Sequence, residues 1–419
     1  MRVAYLNPCG RMGGAETSLR ELLAAVRAAE PSWELWLVLG EDGPLAETAR
    51  AQGVRVLLLP FPAALARLGD AGNGQLRVVF SMMAAIWAIA KYTRQLAVQM
   101  KALRPDIVHT NGLKMHFLGA AARPKSVPVL WHIHDYVSTR PVMRYCLRFC
   151  RKRCHLAIVN SHSTKQDFES VFPGVKVVTV YNAVDTQRFA PGGTNADLDR
   201  LSGMPPAAIG TLRVGLIATF ARWKGHKIFL QALAALRGNV KVRGYIIGGP
   251  VYRTNGSQWS WNELQEEADQ LGLSRDVGFT GFVEDTASVI RSLDILVHAS
   301  SLPEPFGMVI IEGMACGKPV IVSKDGGASE LFTDGENALS HTRGSVDELA
   351  ERIAELASNP ELRKRLGEAG RATAERVFDG SRLAQEITGV YRSVLLDEAM
   401  GGKPALLDKA QSVPSAPAR

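Results

Sequence analysis

The chain has little of what marks an exported, disulfide-built or membrane-spanning protein. Its first residues, Met1 to Asn7, read as a strand and lack the charged, apolar and cleavage regions of a signal peptide. The longest apolar run, Val78 to Ala90, includes Ser81 and is bounded by Arg77 and Lys91. It falls short of the roughly 20 residues a spanning helix needs and reads as a buried or surface-seeking helix. Five cysteines, an odd number, point to reduced thiols and against a disulfide framework. Cys146, Cys150 and Cys154 follow at i, i+4, i+8, roughly along one side of a helix, but no fourth ligand stands at a recognisable spacing and no metal site is expected. Acidic residues are absent between Asp135 and Asp167, where Arg140, Arg144, Arg148, Arg151, Lys152, Arg153 and Lys165 all fall. That stretch, Arg140 to Lys165, could face an anionic membrane surface or a phosphorylated acceptor, or be a solvated basic face. Neither a zinc-finger nor an RNP signature accompanies the charge, so nucleic acid is not an expected partner. The location expected is cytoplasmic, with a peripheral place at the inner face of the plasma membrane as an extension of that reading.

What the chain does have is the make-up of a folded protein, 46% hydrophobic and 21% charged, with a formal net charge of +8. At 419 residues it exceeds what one core usually serves, so two domains are expected. Short apolar or β-branched runs alternate with helical patterns: Arg2 to Asn7, Trp33 to Gly40, Val54 to Pro60, Asp106 to Thr110, Val127 to His132, Leu156 to Asn160 and Val175 to Tyr181. Alternation of this kind gives a parallel sheet covered on both faces. Glycines and prolines then crowd residues 191 to 210, and the alternation restarts at Arg213 to Phe220, Val242 to Ile247, Val277 to Thr280, Ile295 to Ala299 and Val320 to Ser323. The expected division is a first domain at 1–190, a linker at 191–210, a second domain at 211–384, a helix at 385–400 packing back on the first domain, and a disordered tail at 401–419. In such folds ligands gather at the carboxyl ends of strands, so two such domains facing each other make a cleft.

The most informative run is Pro303-Glu304-Pro305-Phe306-Gly307-Met308-Val309-Ile310-Ile311-Glu312, continuing through Gly313 to Lys318-Pro319-Val320. Pro305 and Gly307 keep a regular helix from beginning before about Met308. Glu304 then sits on a loop and Glu312 in the first turns of a helix. A helix N-terminus suits a phosphate, and carboxylates accept hydrogen bonds from ribose or sugar hydroxyls. The simplest ligand with both parts is a nucleotide sugar. Asp197-Leu198-Asp199 superficially offers a metal-binding pair, but it falls in the expected linker and is discounted.

This run, with Val277 to Asp285, Asp294 to Ser301 and Gly326-Gly327-Ala328-Ser329-Glu330, strongly resembles family 4 of the glycosyltransferases, retaining enzymes of the GT-B fold. Gly13-Gly14-Ala15-Glu16, His134-Asp135, Asn160-Ser161, Asn182-Ala183-Val184-Asp185, Arg222 with Lys224-Gly225, and Gly248-Gly249-Pro250 agree in the expected order. The resemblance implies an α/β GT-B architecture of two Rossmann-like, doubly wound domains facing across a cleft, the first on the acceptor side and the second binding the nucleotide sugar. It implies that Glu312 binds the ribose hydroxyls, that Glu304 lies beside the donor sugar, and that the amides around Gly307, Met308 and Val309 approach the diphosphate or sugar. Arg222 and Lys224 match the family's basic pair on the diphosphate, although their spacing is shorter than in many relatives and Ala221 stands where Gly is usual. Phe282 matches the segment that holds the base. Gly13 and Gly14 would let a loop come close to the donor phosphate, and His134 matches the histidine near the donor sugar. His132 is expected to point to the opposite face from His134.

The reaction implied is metal-independent transfer of a sugar from a nucleotide diphosphate donor, with retention, to a glycan or lipid-linked acceptor, the donor being a co-substrate and no cofactor being needed. Fixed cations and N–H donors would stabilise the leaving phosphate. A paired-carboxylate hydrolase is disfavoured because Glu304 lacks an acid partner in the motif. The alternatives are a GT-B sugar-nucleotide epimerase and a non-catalytic nucleotide-sugar-binding subunit; a dehydrogenase lacks its fingerprint.

Overall fold

The computed structural model describes residues 1–62, 75–250 and 257–399; the side chains of residues 75–85 and 399 are outside that description, and so is the expected tail at 401–419. Two compact units make up the chain: Met1–Ala183 together with the segment from Gly380 onward, and Val184–Asp379.

In the first unit the strands are β1 Arg2–Asn7, β2 Glu34–Leu39, β3 Arg55–Leu58, β4 Ile107–Asn111, β5 Val129–Ile133, β6 Leu156–Val159 and β7 Val177–Thr179. They form a parallel sheet in the order β3-β2-β1-β4-β5-β6-β7. Strand alternation decides which core each side chain joins. Val3 and Tyr5 of β1 enter a cluster closed by Leu19, Leu22 and Val26 of helix Gly14–Ala29 and by Leu383, Ile387 and Tyr391 of helix Gly380–Ala399. Ala4 and Leu6 enter the other, with Tyr92, Leu96 and Met100 of helix Gln75–Leu103 and Met115 and Leu118 of helix Leu113–Ala122. Because both faces are covered, β4 and β5 are buried along their whole length.

The second unit repeats the plan with β8 Leu212–Ile217, β9 Val242–Ile247, β10 Val277–Gly281, β11 Ile295–His298, β12 Val320–Ser323 and β13 Leu339–His341. Its order is β10-β9-β8-β11-β12-β13, again parallel. Chain order reverses between β1 and β4 in one sheet and between β8 and β11 in the other. Such switch points open a crevice at the carboxyl ends of the strands.

Two expectations need correction. The boundary falls at Ala183/Val184, and residues 191–210 are not a free linker but part of the second unit. There Leu198 is fully buried in the short helix Leu198–Leu201, and Asp199 accepts from Tyr245 Oη at 2.5 Å and Arg243 Nη1 at 2.7 Å. Burial alone would raise the Asp199 carboxyl, but Tyr245, the Ala207 amide and Arg243 hold it down at about 2. Glycine and proline forbid regular structure; they do not forbid packing. The second correction concerns the cysteines. Helix Pro141–Cys150 ends at Cys150, a tighter turn Arg151–Arg153 follows, and Cys154 therefore leaves the line that Cys146 and Cys150 share. Burial pushes the Cys150 thiol up to about 12, the behaviour of a small core residue.

Candidate active site

In the second unit Gly225 brings the basic residues to the sheet edge. Behind β8 the chain makes one tight turn, Arg222–Lys224, and Gly225 then caps helix His226–Ala235 in the left-handed region at φ 78°. A Cβ on Gly225 would lie 1.8 Å from the carbonyl oxygen of Ala299, so only glycine allows this turn to sit against the end of β11. Lys224 is thereby delivered to Glu304: Nζ donates to Oε1 at 2.5 Å. The other carboxylate oxygen accepts from Ser300 Oγ at 2.6 Å and is 2.8 Å from His298 Nε2. The Lys224 and Glu304 side chains are only 20% and 10% exposed. Burial by itself would raise the Glu304 carboxyl, but Lys224 and then His298 outweigh it and hold it far below the usual carboxylate range. Glu304 is thus a fixed, buried anion, not a proton carrier.

The loop is pinned by its backbone as well. Glu304 bridges Gly326 in parallel fashion, and its carbonyl accepts from the Gly327 amide at 2.8 Å. Gly307 follows in the left-handed region at φ 104° and starts helix Met308–Ala315. Met308 and Val309, both half-buried, occupy the first turn, whose amides have no intrahelical acceptor. Glu312 is buried further along the same helix. Phe282, beyond β10, is 63% exposed and lies close to Gly249, beyond β9, where an added Cβ would meet its ring at 2.9 Å.

Arg222 and Lys224, though two residues apart, take different partners. Arg222 stacks on Trp259 at 3.7 Å from the ring centroid and donates to Glu263 Oε1 at 2.9 Å. Glu263 is itself the third residue of a capping box with Ser260 on helix Trp261–Gln270. Lys224 meanwhile lies 4.2 Å from the Trp223 ring centroid.

In the first unit Gly13, extended at φ −132°, precedes helix Gly14–Ala29. An added Cβ at Gly14 would meet nothing within 4 Å, so packing within the unit does not require glycine there. His134 follows β5 directly and is the half-exposed member of a polar cluster that is otherwise mostly interior. Its Nε2 is 2.5 Å from Asn111 Oδ1, Asn111 Nδ2 donates to Asn7 Oδ1 at 2.7 Å, and Asn7 Nδ2 donates to the Cys9 carbonyl at 2.6 Å. The expectation for His132 fails. Its ring centroid is 4.1 Å from that of His134, because residues two apart in an extended segment share a face. Burial lowers the His134 imidazole to about 4 and His109 to about 3, and takes His132 and His116 well below their ordinary value. All four rings are neutral at pH 7.

Four residues of these clusters carried no individual weight in the sequence: His298, Ser300, Asn7 and Asn111. A signal existed. His298 closes the apolar strand Ile295–His298, Asn7 closes β1 and Asn111 closes β4, and a polar residue at the carboxyl end of a buried parallel strand is placed where ligands bind.

On the same unit, helix Pro141–Cys150 presents Val142, Tyr145 and Phe149 to solvent, the last 72% exposed, beside the exposed Arg144, Arg148, Arg151 and Lys152. Ile86 and Trp87 are exposed on helix Gln75–Leu103. Among the described residues no helix is long and apolar enough to cross a membrane.

Comparison with known proteins gives a family and a fold. Residues 12–188 match the family described as Glycosyltransferase Family 4, and residues 210–373 match that described as Glycosyl transferases group 1. A relative in Rhizobium meliloti, the lipopolysaccharide core biosynthesis glycosyltransferase LpsE, is 32% identical over 176 residues, 42% of this chain and 47% of its own. The chain spans about half the length of the curated relatives it matches. Among solved structures, HepE of Anabaena in complex with UDP and glucose superposes with a TM-score of 0.75 at 25% identity, covering 94% of this chain and 100% of that one. Sucrose-phosphate synthase of Thermosynechococcus elongatus gives 0.75 at 18% identity, with 94% and 99% covered, a likeness of fold.

Proposed function

Because the chain belongs to the family 4, group 1 glycosyltransferases and has their GT-B fold, we propose that it transfers a sugar from a nucleotide diphosphate donor to an acceptor, with retention of anomeric configuration and without a catalytic metal. The observation that carries this reading is the Lys224–Glu304 pair at the carboxyl edge of the second sheet, three residues before the Gly307 helix start. Glu304 is held ionised by Lys224, Ser300 and His298, so it can accept from a hydroxyl of the donor sugar and does not serve as the acid of a hydrolase. The departing diphosphate is met by Lys224, by Arg222 once it leaves Glu263, and by the amides of Met308 and Val309, a set of fixed positive charge that replaces a divalent cation. Glu312 takes the ribose hydroxyls and Phe282 borders the base. His134 meets a hydroxyl of the sugar. Attack comes from the face the phosphate leaves, and the phosphate oxygen takes the acceptor proton. HepE, crystallised with UDP-glucose, supports a nucleoside diphosphate sugar as the donor class.

The acceptor is a lipid-linked or cell-surface glycan precursor on an anionic membrane. The exposed Val142, Tyr145 and Phe149 with the adjacent cations favour this over a soluble acceptor, since apolar insertion and headgroup attraction act together. The protein would then sit peripherally at the inner face of the plasma membrane.

Incubation with labelled nucleotide sugars and membrane lipid extract, in the presence of a chelator, tests the transfer. A labelled lipid product of retained configuration is expected. Turnover without acceptor would make the protein an epimerase, and donor binding without turnover a binding subunit. Flotation with anionic but not neutral vesicles tests the membrane; equal flotation of the Tyr145→Ser, Phe149→Ser double variant would refute it.

A further inference from the structure

His134 is joined to the interior by amide groups whose direction can be read without seeing a hydrogen. The end of the series is the Cys9 backbone carbonyl, which can only accept. Asn7 must therefore turn its NH2 toward it, at 2.6 Å, and its carbonyl oxygen toward Asn111. That oxygen can only accept, so Asn111 turns its own NH2 to Asn7, at 2.7 Å, and its oxygen to His134 Nε2, at 2.5 Å. The last contact closes only if Nε2 carries the proton. Asn7 and Asn111 are fully buried, so neither amide reaches water to pair in the flipped orientation. Glu16 Oε1, 3.4 Å from Asn7 Nδ2, accepts from the same NH2 and reinforces the direction.

We infer that Asn7 and Asn111 are positioning residues that fix His134 as the Nε2–H tautomer, leaving Nδ1 as a lone-pair acceptor. The ring is neutral around pH 7, burial having lowered its basicity, so the tautomer is what decides its chemistry. Resting on the transferase reading above, the consequence is a donor sugar bound through a hydroxyl that donates to Nδ1; a sugar whose hydroxyl there is replaced by a group that cannot donate loses that bond.

The test uses the full chain with 15N-labelled histidine and two-bond 15N–1H correlation, His134 being assigned by the signal missing in His134→Gln. Wild type is expected to show His134 protonated at Nε2 alone. Asn7→Leu removes the anchor without touching His134; Asn111 is then free to flip, and the single pattern gives way to a mixture of tautomers. Asn7→Asp restores it while its carboxyl is protonated, because the acid O–H then donates to the Cys9 carbonyl and the other oxygen still accepts from the Asn111 NH2. Wild type protonated at Nδ1, or a mixture, overturns the inference whatever becomes of the variants, and so does an Asn7→Leu spectrum identical to wild type. The readout needs no substrate. An Nε2–H signature in a protein that transfers no sugar would sink the transferase reading and leave this one standing.

Discussion

Replacing Lys224 by Met should leave a buried carboxylate short of its strongest partner. The side chains are about as long, so little volume is lost, and the change falls on the charge. Breaking one side of a buried pair costs about 3–5 kcal/mol. Glu304 keeps Ser300 at 2.6 Å and His298 at 2.8 Å, and Lys224 is itself 20% exposed, so the lower end, about 3 kcal/mol at pH 7, is expected. The pH dependence identifies the cause. In the wild type the Glu304 carboxyl is depressed despite burial, so its contribution is complete above the unfolded value of about 4.5 and is lost only below it. In Lys224→Met burial raises the carboxyl instead, and protonation relieves the deficit as pH falls. The stability gap should therefore narrow between pH 7 and pH 5, by up to about 1.4 kcal/mol per unit. Urea unfolding of both proteins at the two pH values, followed by tryptophan fluorescence, measures it. A variant as stable as wild type at pH 7, or a gap that does not change with pH, would refute the account of Glu304 as an anion held by Lys224. If the ammonium also meets the leaving phosphate, kcat should fall by about 10²–10³-fold, equivalent to about 3–4 kcal/mol.

Glu312→Ala should raise the donor KM strongly while acceptor KM stays the same; unchanged donor kinetics would remove Glu312 from the ribose. Gly14→Ala has room for its methyl group and sits in the first turn of a helix, so stability should hold or rise by up to about 1 kcal/mol while transfer falls, and full activity in this variant would show that no phosphate approaches there. For the buried histidines the loss also comes on the acid side: burial depresses His109 to about 3, so stability is complete above the unfolded value near 6.5 and is lost as pH falls below it. A single fully buried ring such as His109 accounts for about 2 kcal/mol between pH 6.5 and pH 5, and a flat melting temperature over that range would contradict it.

The doubly wound architecture was legible because buried parallel strands are apolar runs that differ from helices in length and in β-branching. The start of helix Met308–Ala315 was legible for a local reason, Pro305 and Gly307 forbidding an earlier one. What failed were inferences needing partners far along the chain. The segment 191–210 looked like a linker because its anchors, Arg243 and Tyr245, lie about 40 residues on. The divergence of Arg222 toward Trp259 and Glu263 has no signature at Arg222 itself. His298 and Ser300 around Glu304 were within the resemblance, but only the fold shows both on one carboxylate oxygen. The misplacement of His132 was a matter of strand periodicity, and the sequence held enough to avoid it.

The route of the chain has a bearing on how the protein is made. The second unit is a single unbroken segment whose two ends are tied to each other: the Val184 amide donates to the Phe378 carbonyl at 2.8 Å, and Thr186 Oγ1 donates to Asp379 at 2.9 Å. The first unit is split, and Tyr391 reaches its hydrogen bond with Tyr5 across 386 positions. During synthesis the half that emerges first must wait, its β1 and helix Gly14–Ala29 lacking the cover of helix Gly380–Ala399, while the later half completes its own sheet. The second unit can thus complete its fold before the first does, and a stop placed directly after Asp379 would release a complete second unit with an open first one.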